Sequence, residues 1–121
     1  MSKGRIVLET REMKIRFPQF KLVSLHNGQS GYVGRLRTKS KNVYLVLLIY
    51  AKKHPHATPK AYIIHPRIVS TKHQFSDGSI CCHLPNEWRT DYTICVLVGW
   101  VAHWLHAYEE YRRTGHWMTG M

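Results

Sequence analysis

A chain of 121 residues can bury one hydrophobic core without disulfides or a structural metal and has no room for a second, so residues 1–121 are read as a single domain. Its 18 Lys and Arg against 7 Asp and Glu give a formal charge of +11, with nine histidines besides; this suits an acidic protein surface, a phosphate-rich ligand or nucleic acid as partner, or simply a solvated basic surface. Three cysteines, two of them adjacent where a mutual disulfide would be strained, fit a reducing cytoplasm, and the sequence shows neither a signal peptide nor the roughly 20-residue apolar run of a membrane span.

Taken in chain order, residues 4–16 carry Ile6, Leu8, Met13 and Ile15 among charges ahead of Pro18, which predicts a short amphipathic helix. Residues 20–25 read as a half-buried strand, and Asn27-Gly28 offers the positive φ of a tight hairpin turn into a second strand at 32–36. After a basic turn at 39–41, residues 43–50 are apolar at every position. That predicts a central strand covered on both faces. Residues 54–59 form a proline-punctuated loop and 61–64 a fourth strand. Residues 65–91, rich in His, Pro, Asn and Asp, are too long for an idle connection in a compact domain, and such loops carry function. Asp91 is the expected N-cap of a last helix with Ile94, Leu97, Val98, Val101, Leu105 and Tyr108 on its apolar face; Glu109, Glu110, Arg112 and Arg113 lie toward the solvated end, and Gly115 stops it. The expected architecture is α+β: an N-terminal helix, a four-strand antiparallel meander, a functional loop and a long C-terminal helix.

Within the loop, Asp77-Gly78-Ser79-Ile80-Cys81-Cys82-His83-Leu84 sets a thiol behind an apolar residue and a glycine turn, with Trp88 four residues beyond and His65-Pro66 before it. This pattern resembles the ubiquitin-conjugating (UBC-like) enzyme family. Residues 54–60 resemble its proline-rich turn, His65-Pro66-Arg67 its His-Pro-Asn motif, and Gly78-Ser79-Ile80-Cys81 its active-site motif, with Cys82 where an aliphatic residue usually stands. Arg67 replaces the asparagine credited with supporting the oxyanion, so the eukaryotic apparatus is not carried over intact. The compact length and the closing pattern from Tyr108 to Trp117 resemble the bacterial conjugating-enzyme-like proteins of anti-phage operons, including the cyclic-oligonucleotide-based (CBASS) type. The resemblance implies a cysteine acyltransferase that takes the C-terminus of a partner protein, such as a cGAS-like nucleotidyltransferase, as a thioester and passes it to an amine on a target protein.

For that chemistry the working group is a thiolate, and Cys81 is the expected nucleophile. His65, Arg67, His73, His83 and Arg89 lie near it in sequence and could favour ionisation; Asn86, His83, His73 or a backbone amide could serve the oxyanion, although each could equally be a loop-capping side chain. His65 could simply fix the loop, and Trp88 with Pro85 could cover it. In an extended segment Cys81 and Cys82 face opposite ways, so Cys82 is expected to pack inward or else to be a backup thiol, and Cys95 belongs to the core. Zinc is the competing use of these Cys and His residues, but no Cys-x-x-Cys or His-x-x-x-His pair brackets them, so no metal and no cofactor are expected. No Gly-rich phosphate loop is present either, and activation of a carboxylate must come from elsewhere. The alternative is a catalytically inactive UBC-like basic module for an acidic protein or nucleic acid; the basic residues match no nucleic-acid motif, so nucleic acid is not the expected partner.

Overall fold

The computed structural model describes residues 1–68, 72–84 and 86–118. Helix α1 (Lys3–Arg16) starts where the Ser2 hydroxyl accepts the Arg5 N–H at 3.2 Å, and it closes as the Phe17 N–H donates to the Met13 carbonyl just ahead of Pro18. Strands β1 (Lys21–Ser24), β2 (Ser30–Arg37), β3 (Val43–Ile49) and β4 (Lys60–His65) form one antiparallel sheet in the order β1-β2-β3-β4. Helix α2 (Ile94–Thr114) follows the long loop and ends at Gly115, whose φ of +80° is the left-handed cap. The architecture is the α+β arrangement expected, with each meander strand within two residues of its expected bounds.

Alternation along β3 decides where the core lies. Tyr44, Val46, Leu48 and Tyr50 are buried and join Leu97, Val98, Val101, Trp104 and Leu105 of α2 in one cluster. The opposite face of β3 departs from the sequence reading: Leu45, Leu47 and Ile49 are only half-buried and Val43 is exposed, because both helices belong to the inner face. Gly31 lets β2 approach β3 closely; a Cβ there would stand 1.9 Å from the Leu48 carbonyl oxygen.

Helix α1 is also packed differently from its apolar pattern. Ile6, Val7, Leu8 and Ile15 are exposed, and the two buried positions are Met13 and the acidic Glu9, one turn apart on the same face. The Glu9 carboxylate accepts hydrogen bonds from Arg5 Nε (2.9 Å), Tyr50 Oη (3.1 Å), His54 Nε2 (2.7 Å) and the Ile94 N–H (2.8 Å). Burial works against the charged form, but the bonds from His54 and Ile94 outweigh it and hold the Glu9 pKa below the usual carboxylate range. Glu9 therefore supplies a carboxylate to the N-terminus of α2, the work assigned to Asp91 from sequence. The N-cap residue is Thr93, with no side-chain cap of its own, and Asp91 pairs with Arg89 at 3.1 Å on the surface.

Candidate active site

The segment before Cys81 is a small hairpin. Gln74 bridges Ile80, the Phe75 N–H donates to the Ser79 carbonyl at 2.8 Å, and the Gly78 N–H returns to the Phe75 carbonyl at 3.0 Å with Gly78 at φ +90°. Only a residue that tolerates positive φ closes this turn without strain. Asp77 locks it: one carboxylate oxygen accepts the Ser79 N–H (2.9 Å) and hydroxyl (2.6 Å), and the other meets Lys60 Nζ at 2.8 Å. The bond from Lys60, followed by those from Ser79, keeps Asp77 well below the usual carboxylate range.

The hairpin docks on the sheet as the Ile80 N–H donates to the Ala61 carbonyl of β4 at 2.9 Å. Cys81 is then fixed through its own N–H, which donates to the His73 carbonyl at 2.8 Å; that carbonyl also accepts the indole N–H of Trp104 from α2 at 3.0 Å. The Cys81 thiol is half-buried and its Sγ lies 3.8 Å from the His83 carbonyl. Its neighbour faces the core: Cys82 is 5 % exposed, and burial, reinforced by Cys81, pushes its thiol up to about 12. Cys95 is buried in α2 with its thiol likewise raised by burial.

The other sequence candidates separate into two groups. His73 and His83 come to Cys81 through their carbonyls, while their rings stack elsewhere, His73 on Trp117 (4.7 Å between centroids) and His83 on Trp100 (4.9 Å). His83 Nδ1 lies 2.7 Å from the Leu84 carbonyl and so donates to it, leaving Nε2 of the neutral ring as the nitrogen with a free lone pair. His65 closes β4 at its far end, about 13 Å along the strand from the Ala61 carbonyl on which the thiol hairpin rests. Asn86 is exposed and makes no hydrogen bond among the described residues. Arg67, at the site of the missing asparagine, lies beyond the end of β4 with the His65-Pro66 pair. Pro85 lies outside the described residues. Among the described residues no three His, Cys, Asp or Glu side chains gather as a metal site.

The sequence reading did not identify the polar and aromatic frame behind this loop. Arg5 donates to the Thr90 carbonyl at 2.9 Å and to the Tyr92 carbonyl, so the Arg5–Glu9 pair of α1 holds the segment running from the loop into α2. The His54 ring lies 5.6 Å from Trp88, whose indole N–H donates to the Pro55 carbonyl at 2.8 Å; Trp88 meets Trp100 edge-on at 6.2 Å, and Trp100 stacks on His83. Glu9 standing on the same helical face as Met13 was the available signal for the polar end of this frame.

A protein-family model described as E2-CBASS, Type II CBASS E2 protein, matches residues 9–121, and the chain belongs to that family of anti-phage E2-like proteins. Neither the curated proteins nor the solved structures contain a significant match to it. No helix among the described residues is long and apolar enough to cross a membrane.

Proposed function

We propose that this Type II CBASS E2 protein is a cysteine acyltransferase that receives the C-terminal acyl group of a partner protein on Cys81 and delivers it to an amine. The observation that carries the reading is the contrast among its thiols: Cys81 is half-exposed at the exit of a locked hairpin, whereas Cys82 and Cys95 are buried with raised pKa values. The Cys81 thiolate would attack the carbonyl of an activated C-terminus, forming the C–S bond as the activating group leaves with its electron pair. The acceptor amine would then attack the thioester, expelling the thiolate and giving up a proton as the amide forms. His83, two residues from Cys81 and with Nε2 not engaged by the Leu84 carbonyl, would take that proton, and His73 supports Cys81 through its carbonyl. Cys82 would contribute packing only, and His65 and Asn86 take no part in this scheme. No metal or cofactor enters this scheme.

The partner we propose is the nucleotidyltransferase of the same defence system, its C-terminus being the transferred group, in the cytoplasm where thiols stay reduced. The test is co-expression with the neighbouring genes, followed by intact-mass analysis with and without dithiothreitol and a chelator. A dithiothreitol-labile adduct that survives chelation supports the reading. Cys81→Ser should yield a thiol-stable oxyester or nothing, and Cys82→Ala should transfer normally. The reverse pattern reassigns the nucleophile; salt-sensitive nucleic-acid binding without any adduct makes the protein a basic binding module instead.

A further inference from the structure

A cleft of about 620 Å³ lies where the β2–β3 turn, the chain leaving β4 and the last turns of α2 meet, lined among others by Asn42, Val43, Pro66, Arg67, Arg112 and Arg113. All three guanidinium side chains belong to exposed residues. Arg113 pairs with Glu110 at 2.6 Å and Arg112 leans on Tyr108, its Nη1 3.1 Å from the phenol oxygen, and both suit the negative end of the helix dipole. Arg67 comes from the chain leaving β4, has no ion pair or hydrogen bond among the described residues, and owes nothing to that dipole. The one carboxylate in the lining, Glu109, keeps its charge but is turned toward neutral donors, its Oε2 accepting from Thr38 (2.9 Å), Asn42 (2.8 Å) and Tyr44 (2.9 Å), and the three arginines of the lining outnumber it. Those three bonds tie the β2–β3 turn to α2 and give the cleft a fixed wall, and exposed Lys39 and Lys41 add charge on the turn beside it.

We propose that this cleft is a docking site for an acidic, extended segment of a partner protein, with Arg67 and Arg112 gripping successive carboxylates. Adjacent residues on a helix project about 100° apart, so Arg112 and Arg113 leave α2 in different directions, and Arg67 enters the cleft from the chain that follows β4. Cations spread along a cleft match single-charge carboxylates spaced along a chain better than one compact phosphate. Val43 and Pro66 supply apolar contact between them. The cleft stands beyond the end of β4, whereas the Cys81 hairpin docks at its beginning, so occupancy is separable from chemistry at the thiol.

The experiment titrates fluorescein-labelled hexaglutamate into the full chain by anisotropy at low salt, with amide shifts mapping the site. Arg67→Ala and Arg112→Ala should each weaken binding about tenfold, the loss of one desolvated charge-assisted pair. Arg35→Ala, on β2 and not among the residues lining the cleft, should stay within about twofold, as diffuse screening allows. Cys81→Ser should bind like the parent chain, which separates failure of this proposal from failure of the thioester reading. Equal losses at Arg35 and Arg67, shifts outside residues 40–44, 66–67 and 108–113, or no binding would overturn it. Tighter binding of inorganic phosphate or a dodecathymidine strand, lost in the same variants, would also overturn it, because the cleft would then be a phosphate site.

Discussion

Removing the Glu9 carboxylate tests whether a buried charge on α1 holds the molecule together. Glu9→Ala strips the acceptor from the Tyr50 hydroxyl, the His54 ring N–H and the Ile94 N–H, and leaves Arg5 without its ion pair. Each buried neutral donor left without an acceptor costs about 1–3 kcal/mol. Three would total about 3–9 kcal/mol if none were relieved, but Glu9, Tyr50 and His54 line a groove of about 600 Å³ between α1 and the β1–β2 hairpin, through which water can reach them. Deleting one partner of a buried ion pair costs about 3–5 kcal/mol, and the groove argues for the middle of that range, about 4 kcal/mol. Against a typical stability of about 5–15 kcal/mol this leaves a marginal fold. Glu9→Gln keeps one oxygen acceptor, and its amide can donate to a His54 ring in the other tautomer, so it should cost about 1–2 kcal/mol. Urea unfolding followed by tryptophan fluorescence measures both. Because the folded pKa of Glu9 is depressed, the stabilisation is present above the unfolded carboxylate pKa and is lost as pH falls through the folded value. The advantage of the parent chain over Glu9→Gln should therefore shrink on acidification below the ordinary carboxylate range. A Glu9→Ala cost below about 1 kcal/mol, or a gap that widens with acid, refutes the reasoning.

Iodoacetamide at neutral pH should modify Cys81 in the folded protein and spare Cys82, since a thiol near 12 is about 10⁻⁵ ionised at pH 7; peptide mapping that finds Cys82 modified as fast as Cys81 would contradict this. Gly31→Ala should destabilise by about 3 kcal/mol and disturb the β2–β3 pairing, because the new methyl meets main chain that cannot rotate away; a neutral result in urea unfolding would contradict the close approach. Trp104→Phe removes the indole donor from the His73 carbonyl and should cost about 1 kcal/mol, with faster hydrogen exchange at the Cys81 amide that shares that carbonyl.

Sequence periodicity located the elements because local spacing is what it measures. The stripe from Ile94 to Tyr108 is buried throughout, and Gly78 occupies the positive-φ turn ahead of Cys81. It failed where one residue's role depends on distant partners. Glu9 reaches Tyr50, His54 and Ile94 across separations of 41, 45 and 85 residues, so its place on the Met13 face could hint at burial, but no local pattern could show its partners or that it replaces Asp91 at the start of α2. The apolar run of β3 has the composition of a strand covered on both sides, yet alternation, visible only once α2 is placed, leaves every second residue half-exposed. The histidines around Cys81 were legible as neighbours. Their orientation was not, because it is set by Trp100 and Trp117, aromatic rings 17 and 44 positions away from His83 and His73.

Presenting one thiol while its neighbour stays buried requires an ordered loop, and ordering costs about 1–2 kcal/mol per residue. Besides its docking on β4 through Ile80 and Asp77, the loop here is anchored by the helices and the 54–55 turn. Arg5 and Glu9 of α1 grip it where it enters α2, through the Thr90 and Tyr92 carbonyls and the Ile94 N–H. Trp88 secures its middle, bonded to the Pro55 carbonyl and wedged between His54 and Trp100, and Trp104 of α2 secures the His73 carbonyl that receives the Cys81 N–H. His54 joins the two sets of anchors, bonding Glu9 through Nε2 while its ring meets Trp88. Loosening α1 therefore acts on the thiol's surroundings from the middle of the loop and from its end at α2, and the docking of a charged helix is as much part of presenting Cys81 as the glycine turn beside it.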